Sequence, residues 1–357
     1  MNAFQKLAAI PRRRLSIAAL VIISVVAIFS AAVAALAARG EKPDPYPDMP
    51  SVATIGQRIG KYQDVPASAI GPAINPAKGY RLQNLGGGLF MITDNIYQSL
   101  FLVYDQGVVV VDAPPNYSAK ILAGIAEVTR KPVTHVIYSH SHVDHIGGVR
   151  ALRGNPIIIA HQETRQLLAR AADPNRPLPM ITFGDTYSLN VGGKTLELSY
   201  HGDAHEPGNI FIYAPEQRVL MVVDVVFPGW MPWRRFAVAH DIPGHFEQVE
   251  LIRTLPWLTL VGGHVTRTGT HADVDLQAEF NKDIRKAAAD ALASTRPGAG
   301  LNPRDAGNPW AVYDDYIDRV ALQCVNTLAG KWARRLAAFD VYVWDQCYAM
   351  EQSLRID

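Results

Sequence analysis

Between an apolar run and a pair of glycines the chain reads His140-Ser141-His142-Val143-Asp144-His145. Three imidazoles and a carboxylate within six residues restrict what the backbone around them can be. His140 and His142 lie two apart, so in extended backbone they project to the same side. Residues 133–139 read as a strand that runs into His140, and the turn beyond brings Asp144 and His145 in from the following segment. Imidazole nitrogen and carboxylate oxygen are good zinc ligands, and a structural or catalytic zinc is close to tetrahedral. Four such donors in so short a run do not serve one ion comfortably. Two neighbouring ions, one on His140 and His142 and one on Asp144 and His145, are the natural solution. The flanks, Val136-Ile137-Tyr138 and Ile146-Gly147-Gly148, are core-like, which argues against a solvated surface loop.

The rest of the chain can bury such a site. Its 357 residues suffice for one large domain or two small ones, and 48% apolar against 19% charged residues excludes disorder. Lys+Arg of 34 against Asp+Glu of 33 leaves a net charge of +1, so no basic excess points to a nucleic-acid partner.

The ends have a different character. Residues 15–38 contain no charged side chain, and Lys6, Arg12, Arg13 and Arg14 precede them without any acid. A run of that length spans a bilayer as a helix, and basic residues before it place the N-terminus inside. The other reading is a cleaved signal peptide, with Ala35-Leu36-Ala37 as an acceptable cleavage site. Both readings put the catalytic part outside the cytoplasm: membrane-anchored, or secreted or periplasmic. A proline at nearly every second position of residues 43–50 makes a semi-rigid stalk. Cys324 and Cys347 are the two cysteines, and they are either a disulfide or a pair of buried thiols.

Along the body, residues 97–104 and 107–112 read as strands joined by a turn, and 119–129 as a helix. Residues 146–152 are expected to start a short helix, 156–160 to form a strand and 161–172 a helix. Hairpin-like pairs follow at 187–191 with 195–200, and at 209–214 with 218–223. A helix is expected over 246–254 and a short strand over 258–261. From residue 273 onward the chain reads as almost wholly helical, with an interruption around 296–309. Strands and helices mix in both halves, which suggests sheets packed face to face with helices outside.

On the run H-x-H-x-D-H the chain resembles the metallo-β-lactamase superfamily of zinc hydrolases. The remaining positions of that pattern are also filled in order. His205 stands in a Gly-rich turn before a strand, with Gly208 and Asn209 matching it. Asp224 ends Leu220-Met221-Val222-Val223, and His264 follows Gly262-Gly263. The resemblance covers roughly residues 85–275. It implies an α/β (α+β) fold, an αββα sandwich with metals at one edge. The expected organisation is a signal anchor or signal peptide at 1–40, a Pro-rich linker and lead-in at 41–84, the metallo-β-lactamase-like domain at 85–275 and a helical C-terminal extension at 276–357. It assigns His140, His142 and His205 to a first zinc and Asp144, His145 and His264 to a second, with Asp224 bridging. Iron or manganese remains open in place of zinc. Asp112, at the end of an apolar strand, matches an Asp that supports the metal site from outside. The implied chemistry is hydrolysis by a metal-bound hydroxide, with Asp144 as the catalytic residue orienting the attacking water. The scissile bond would be an ester, lactone, thioester, amide or β-lactam in a small-molecule substrate. Asp at 224 in place of Cys departs from the lactamase subclass that binds its second zinc through sulfur, which weakens a true β-lactamase reading.

Two further classes stay open. One is an iron-dependent oxidoreductase on the same ligands; metal identity discriminates it. The other is a non-catalytic binding protein that keeps only the fold. Weaker features are the aromatic stretch Phe227-Pro228-Gly229-Trp230-Met231-Pro232-Trp233, either a pocket wall with Arg234 or Arg235 receiving a carboxylate or a packed loop. His135, His161, His240, His245 and His271 lack motif context and read as structural. His201, close to His205 in sequence, is either a supporting group behind the ligands or an ordinary turn residue, the seven ligand positions being already filled. Tyr97 and Tyr138 are within reach of the site in sequence only. The aromatics of the C-terminal segment read as packing or as a homodimer interface.

Overall fold

The computed structural model describes residues 62–357. The apolar run at 15–38 and the proline-rich stalk lie outside the described residues. Among the described residues no helix is long and apolar enough to cross a membrane.

Two sheets face each other. The first holds β1 (Arg81–Gly86), β2 (Leu89–Thr93), β3 (Gln98–Val103), β4 (Val108–Val111), β5 (Val133–Ile137), β6 (Ile157–His161) and β7 (Ile181–Phe183), in chain order across the sheet. Neighbours from β1 to β4 run antiparallel and those from β4 to β7 parallel. The second sheet is β8 (Thr186–Val191), β9 (Lys194–Tyr200), β10 (Ile210–Ala214) and β11 (Val219–Val222) as an antiparallel meander, with β12 (Thr259–Val261) parallel to β11.

Strand periodicity explains why runs with no polar alternation serve here. Val109 and Val111 of β4 point into the inter-sheet core with Leu100, Ile137, Leu198, Ile212 and Met221. Val108 and Val110 point the other way, onto Ile121 and Ile125 of α1 (Ser118–Val128). In β10, Ile210 and Ile212 face the first sheet, while Phe211 packs with Val249, Ile252 and Trp257. Each strand thus feeds two cores, as expected where helices cover both outer faces. The result is a mixed α/β sandwich carrying a helical C-terminal region.

The helices differ from expectation at their starts. A short α2 covers Val143–Ile146, beginning three residues before the expected position, because His142 is extended (φ −61°, ψ 141°) and the helix begins directly after it. α3 covers Gln162–Ala171. α4 (Ile242–Thr254) also begins early, since Asp241 caps it by accepting from the Gly244 N–H at 3.1 Å. Pro243 is harmless in a first turn. Then follow α5 (His271–Ser294), α6 (Pro309–Trp332) and α7 (Phe339–Ile356). The break between α6 and α7 sits in a helix-compatible sequence. There the Met231 N–H donates to the Ala337 carbonyl and the Ala337 N–H to the Gly229 carbonyl, and this tertiary pairing overrides local preference. α5 runs continuously through residues 275 and 276.

Strands β1, β2 and β7 add to those read from sequence. Gly86, Gly87 and Gly88 between β1 and β2 all have positive φ (90°, 51°, 83°), a turn that side chains disfavour. Cys324 of α6 and Cys347 of α7 form a disulfide with Cα atoms 5.9 Å apart.

Candidate metal centre

The site lies where strand ends of both sheets meet. His140 and His142 follow β5, Asp144 and His145 occupy α2, His205 sits in the loop before β10, Asp224 follows β11, and His264 follows β12. The register holds because the Ser139 N–H donates to Asp112 Oδ1 at 2.8 Å, and the Ile210 N–H donates to the Ser139 carbonyl across the sheets. Three non-glycine residues here have positive φ: Asp112 (58°), Asp224 (63°) and the β-branched Val265 (64°) beside His264. Such backbone persists only where surrounding contacts over-determine it, and it commonly marks functional sites. Gly263 (φ 84°) precedes His264, and a Cβ there would meet Val223 Cγ1 at 2.6 Å.

All seven residues expected as ligands converge, as two groups. His140, His142, His205 and Asp224 form one; Asp144, His145 and His264 the other; within each, donor atoms lie within 4.8 Å of one another. His205 Nε2 is 3.0 Å from His142 Nδ1 and 3.3 Å from His140 Nε2. His145 Nε2 and His264 Nε2 are 3.0 Å apart. Asp224 faces both groups: its Oδ2 is 3.2 Å from His145 Nε2 and 3.3 Å from His205 Nε2, and its Oδ1 is 3.1 Å from His264 Nε2. Asp144 Oδ2 is 3.6 Å from His145 Nε2 and 3.8 Å from His264 Nε2.

These spacings fit a cation. Tetrahedral metal–nitrogen bonds of about 2.0–2.1 Å place their donors roughly 3.3 Å apart. His205 Nε2 faces two ring nitrogens at once and, having at most one proton, cannot satisfy both by hydrogen bonding.

The far ring nitrogens of His140 and His264 are held by hydrogen bonds, and those of His142 and His145 face carboxylates. His140 Nδ1 is 2.8 Å from Ser139 Oγ, and His264 Nδ1 donates to the Ile96 carbonyl at 3.1 Å. His142 Nε2 lies 3.4 Å from Glu206 Oε1, and His145 Nδ1 lies 3.8 Å from Asp112 Oδ2. Partners of this kind orient ligand imidazoles and raise their basicity. Asp112, matched in sequence to a supporting Asp, lies behind His145. Glu206 was not foreseen. It also accepts from the Ser141 N–H and hydroxyl at 2.8 and 2.7 Å, which pins the His140–His142 loop. A contact between loops 65 residues apart leaves no sequence pattern.

Electrostatics follow from burial and crowding. Burial, with neighbouring imidazoles, pulls His140 well below the ordinary imidazole value. Burial pulls His205 down to about 3, although Asp224 opposes it. Burial also opposes charge on His145, but Asp224, Asp112 and Asp144 outweigh it and push that group up to about 9. The surrounding imidazoles hold Asp224 well below the usual carboxylate range despite its burial. Burial raises Asp112 to about 6 against its Ser139 bonds and His145. A metal ion taking His145 as ligand must therefore displace a proton.

A cavity of ≈ 790 Å³ opens onto His142, Asp144, His205, Asp224 and His264. Its walls include Tyr97, Phe227, Trp230, Met231 and Trp233, so the aromatic stretch is a pocket wall. Arg234 and Arg235 are absent from it; Arg234 pairs with Asp345 at 3.0 Å instead. The Tyr97 ring lies 4.9 Å from that of His264, whereas the Tyr138 hydroxyl points away and donates to the Pro177 carbonyl. None of His135, His161, His201, His240, His245 or His271 joins the ligand groups.

The family model of the metallo-beta-lactamase superfamily matches residues 93–291. A similar curated protein is the 2,4-dinitroanisole O-demethylase subunit alpha of Nocardioides sp. (strain JS1661), 31% identical over 182 residues, which are 45% of this chain and 56% of that one. Another is a metallo-beta-lactamase type 2 of Bacillus sp. (strain 170), 30% identical over 128 residues, 34% of this chain and 47% of that one. The chain thus spans about half the length of the curated relatives it matches. Among solved structures, a metallo-beta-lactamase from Pontibacter korlensis aligns over 57% of this chain and 99% of its own, with 18% identity and a TM-score of 0.48.

Proposed function

The chain belongs to the metallo-beta-lactamase superfamily, and from that premise we propose that it is a metal-dependent hydrolase, with two zinc ions as the fitting occupants of its site. The observation that carries this reading is the convergence of seven N and O donor residues, five of which line an open cavity. The first ion would take His140, His142 and His205; the second Asp144, His145 and His264; Asp224 faces both. Bound there, the ions would supply Lewis acidity and lower the pKa of water to about 7.

The chain's own residues have separable roles in hydrolysis of an ester or lactone. Asp144, half-exposed at the cavity floor, accepts a hydrogen bond from the attacking water and carries its proton. A C–O bond forms from that water to the carbonyl carbon, the bond to the leaving oxygen breaks, and the proton passes from Asp144 to the leaving group. One water is consumed and an acid and an alcohol result. Burial, with Asp144 and Asp224 nearby, raises the Tyr97 phenol, so it stays neutral and remains a donor at the wall. Relatives are named as a demethylase subunit and as β-lactamases, so the bond cleaved rests on the pocket rather than on the family.

We place the protein outside the cytoplasm, by an anchor or after signal cleavage. The disulfide supports this, since such bonds persist in oxidising compartments. The test of the activity is turnover of a neutral ester by the full-length protein before and after chelation. Chelation should abolish turnover and zinc should restore it. Asp144→Asn should lower kcat by about a hundredfold, the lower range for a lost proton-transfer group. Turnover that survives chelation unchanged refutes the reading.

A further inference from the structure

The outer half of the cavity is not part of the ligand-bearing sandwich. Ala338, Val341 and Tyr342, from the start of α7, line it together with Trp233, Ala237 and Val238. Residues 341 and 342 follow 338 at spacings of three and four, so one helix face is presented to the pocket. The opposing segment is a left-handed turn: Arg235, Phe236, Ala237 and Val238 have φ of 52°, 55°, 60° and 51°. Such a turn needs external support. The Phe236 N–H donates to Gln346 Oε1 at 2.6 Å, and Gln346 Nε2 donates to the Pro232 and Trp233 carbonyls at 2.6 and 3.1 Å. Phe236 itself is buried among α5, α6 and α7 side chains. The helical extension therefore shapes the substrate side of the pocket.

The chemistry of that side is one-sided. No lysine or arginine among the described residues lines the cavity. Of the nearby cations, Arg234 pairs with Asp345 and Arg267 with Asp273 at 2.6 Å, and the exposed Arg235 does not line the cavity. At the mouth, Ile96, Trp233 and Val238 expose apolar surface (62%, 49% and 42%). A carboxylate in the outer half would be desolvated without a counter-ion, whereas an apolar chain would gain from burial.

We propose that the substrate is a neutral ester or lactone with an apolar acyl or aryl body, and that this body lies against the wall of Trp233, Val341 and Tyr342, which set specificity. The proposal rests on the hydrolase reading above. Its test compares kcat/KM of the full-length protein on p-nitrophenyl acetate, p-nitrophenyl octanoate and the p-nitrophenyl monoester of octanedioic acid. Octanoate should exceed acetate at least tenfold, and the terminal carboxylate should remove that gain. Val341→Lys should restore the carboxylate-ended ester relative to octanoate. Trp233→Ala, at an exposed position that tolerates truncation, should lower the octanoate-to-acetate ratio at least threefold.

A second readout needs no turnover. Tryptophan fluorescence of the chelated protein should report octan-2-one binding at least tenfold tighter than octanoate. If the ketone binds so but no ester turns over, the apolar pocket stands and the hydrolase reading fails. A flat chain-length profile, or octanoate binding as well as the ketone, overturns the proposal.

Discussion

Single residues here settle questions of protonation and aim. Asp112 and Asp224 both end strands of the sandwich and both take left-handed φ, which turns their carboxylates toward the imidazoles rather than along the sheets. His245 is a contrasting case. It is fully buried on α4, and neither ring nitrogen has a hydrogen-bond partner among the described residues. Burial pulls it down to about 4, with Asp224 opposing. The unfolded chain then binds a proton near pH 6.5 that the folded chain refuses until about pH 4. Stability must fall as pH drops through that window, since the unfolded state binds more protons there. His245→Leu removes this contribution. Denaturant titrations at pH 7 and pH 4 should show the variant losing less stability on acidification than the parent, by up to about 3 kcal/mol at roughly 1.4 kcal/mol per pK unit. An equal loss in both proteins would mean that His245 finds a partner for its proton in the fold.

At the scale of elements, the join between α6 and α7 matters most to the pocket. The Cys324–Cys347 bond closes a loop with a sequence separation of 23 between the two helices. Loop-closure entropy predicts about 3 kcal/mol from such a bond. Cys324→Ala/Cys347→Ala should lower unfolding free energy by that order, measured by chemical denaturation without reductant; an unchanged midpoint would show that the pair contributes nothing. Most elements were legible before the structure, for reasons visible in particular residues. The valines of β4 and the alternating core of β8 and β9 announce strands through composition and turns. The candidate metal-holding residues were legible because five of them follow strands or sit in short turns with fixed spacing. What stayed hidden depends on distant partners. Glu206 meets Ser141 only in three dimensions. The break at residues 333–338 follows from pairing with Gly229 and Met231. The left-handed turn at residues 235–238 depends on Gln346, more than a hundred residues away. Disulfide and buried thiols could not be separated in sequence, because both need only two apolar helix positions.

For the whole molecule, two sheets stacked face to face bring four chain-distant segments bearing the donors to one edge, and the C-terminal helices close the outer side of that edge. The sandwich supplies donors, and the extension supplies shape. With His140 and His205 held neutral by burial and His145 and Asp224 stabilising each other's charge, the folded site is arranged around a buried carboxylate that faces both donor groups. The most direct test is the metal content of the full-length protein, purified without added metal and read by elemental analysis. The account predicts two divalent ions per chain. A folded chain that carries no metal, even after zinc is supplied, contradicts it.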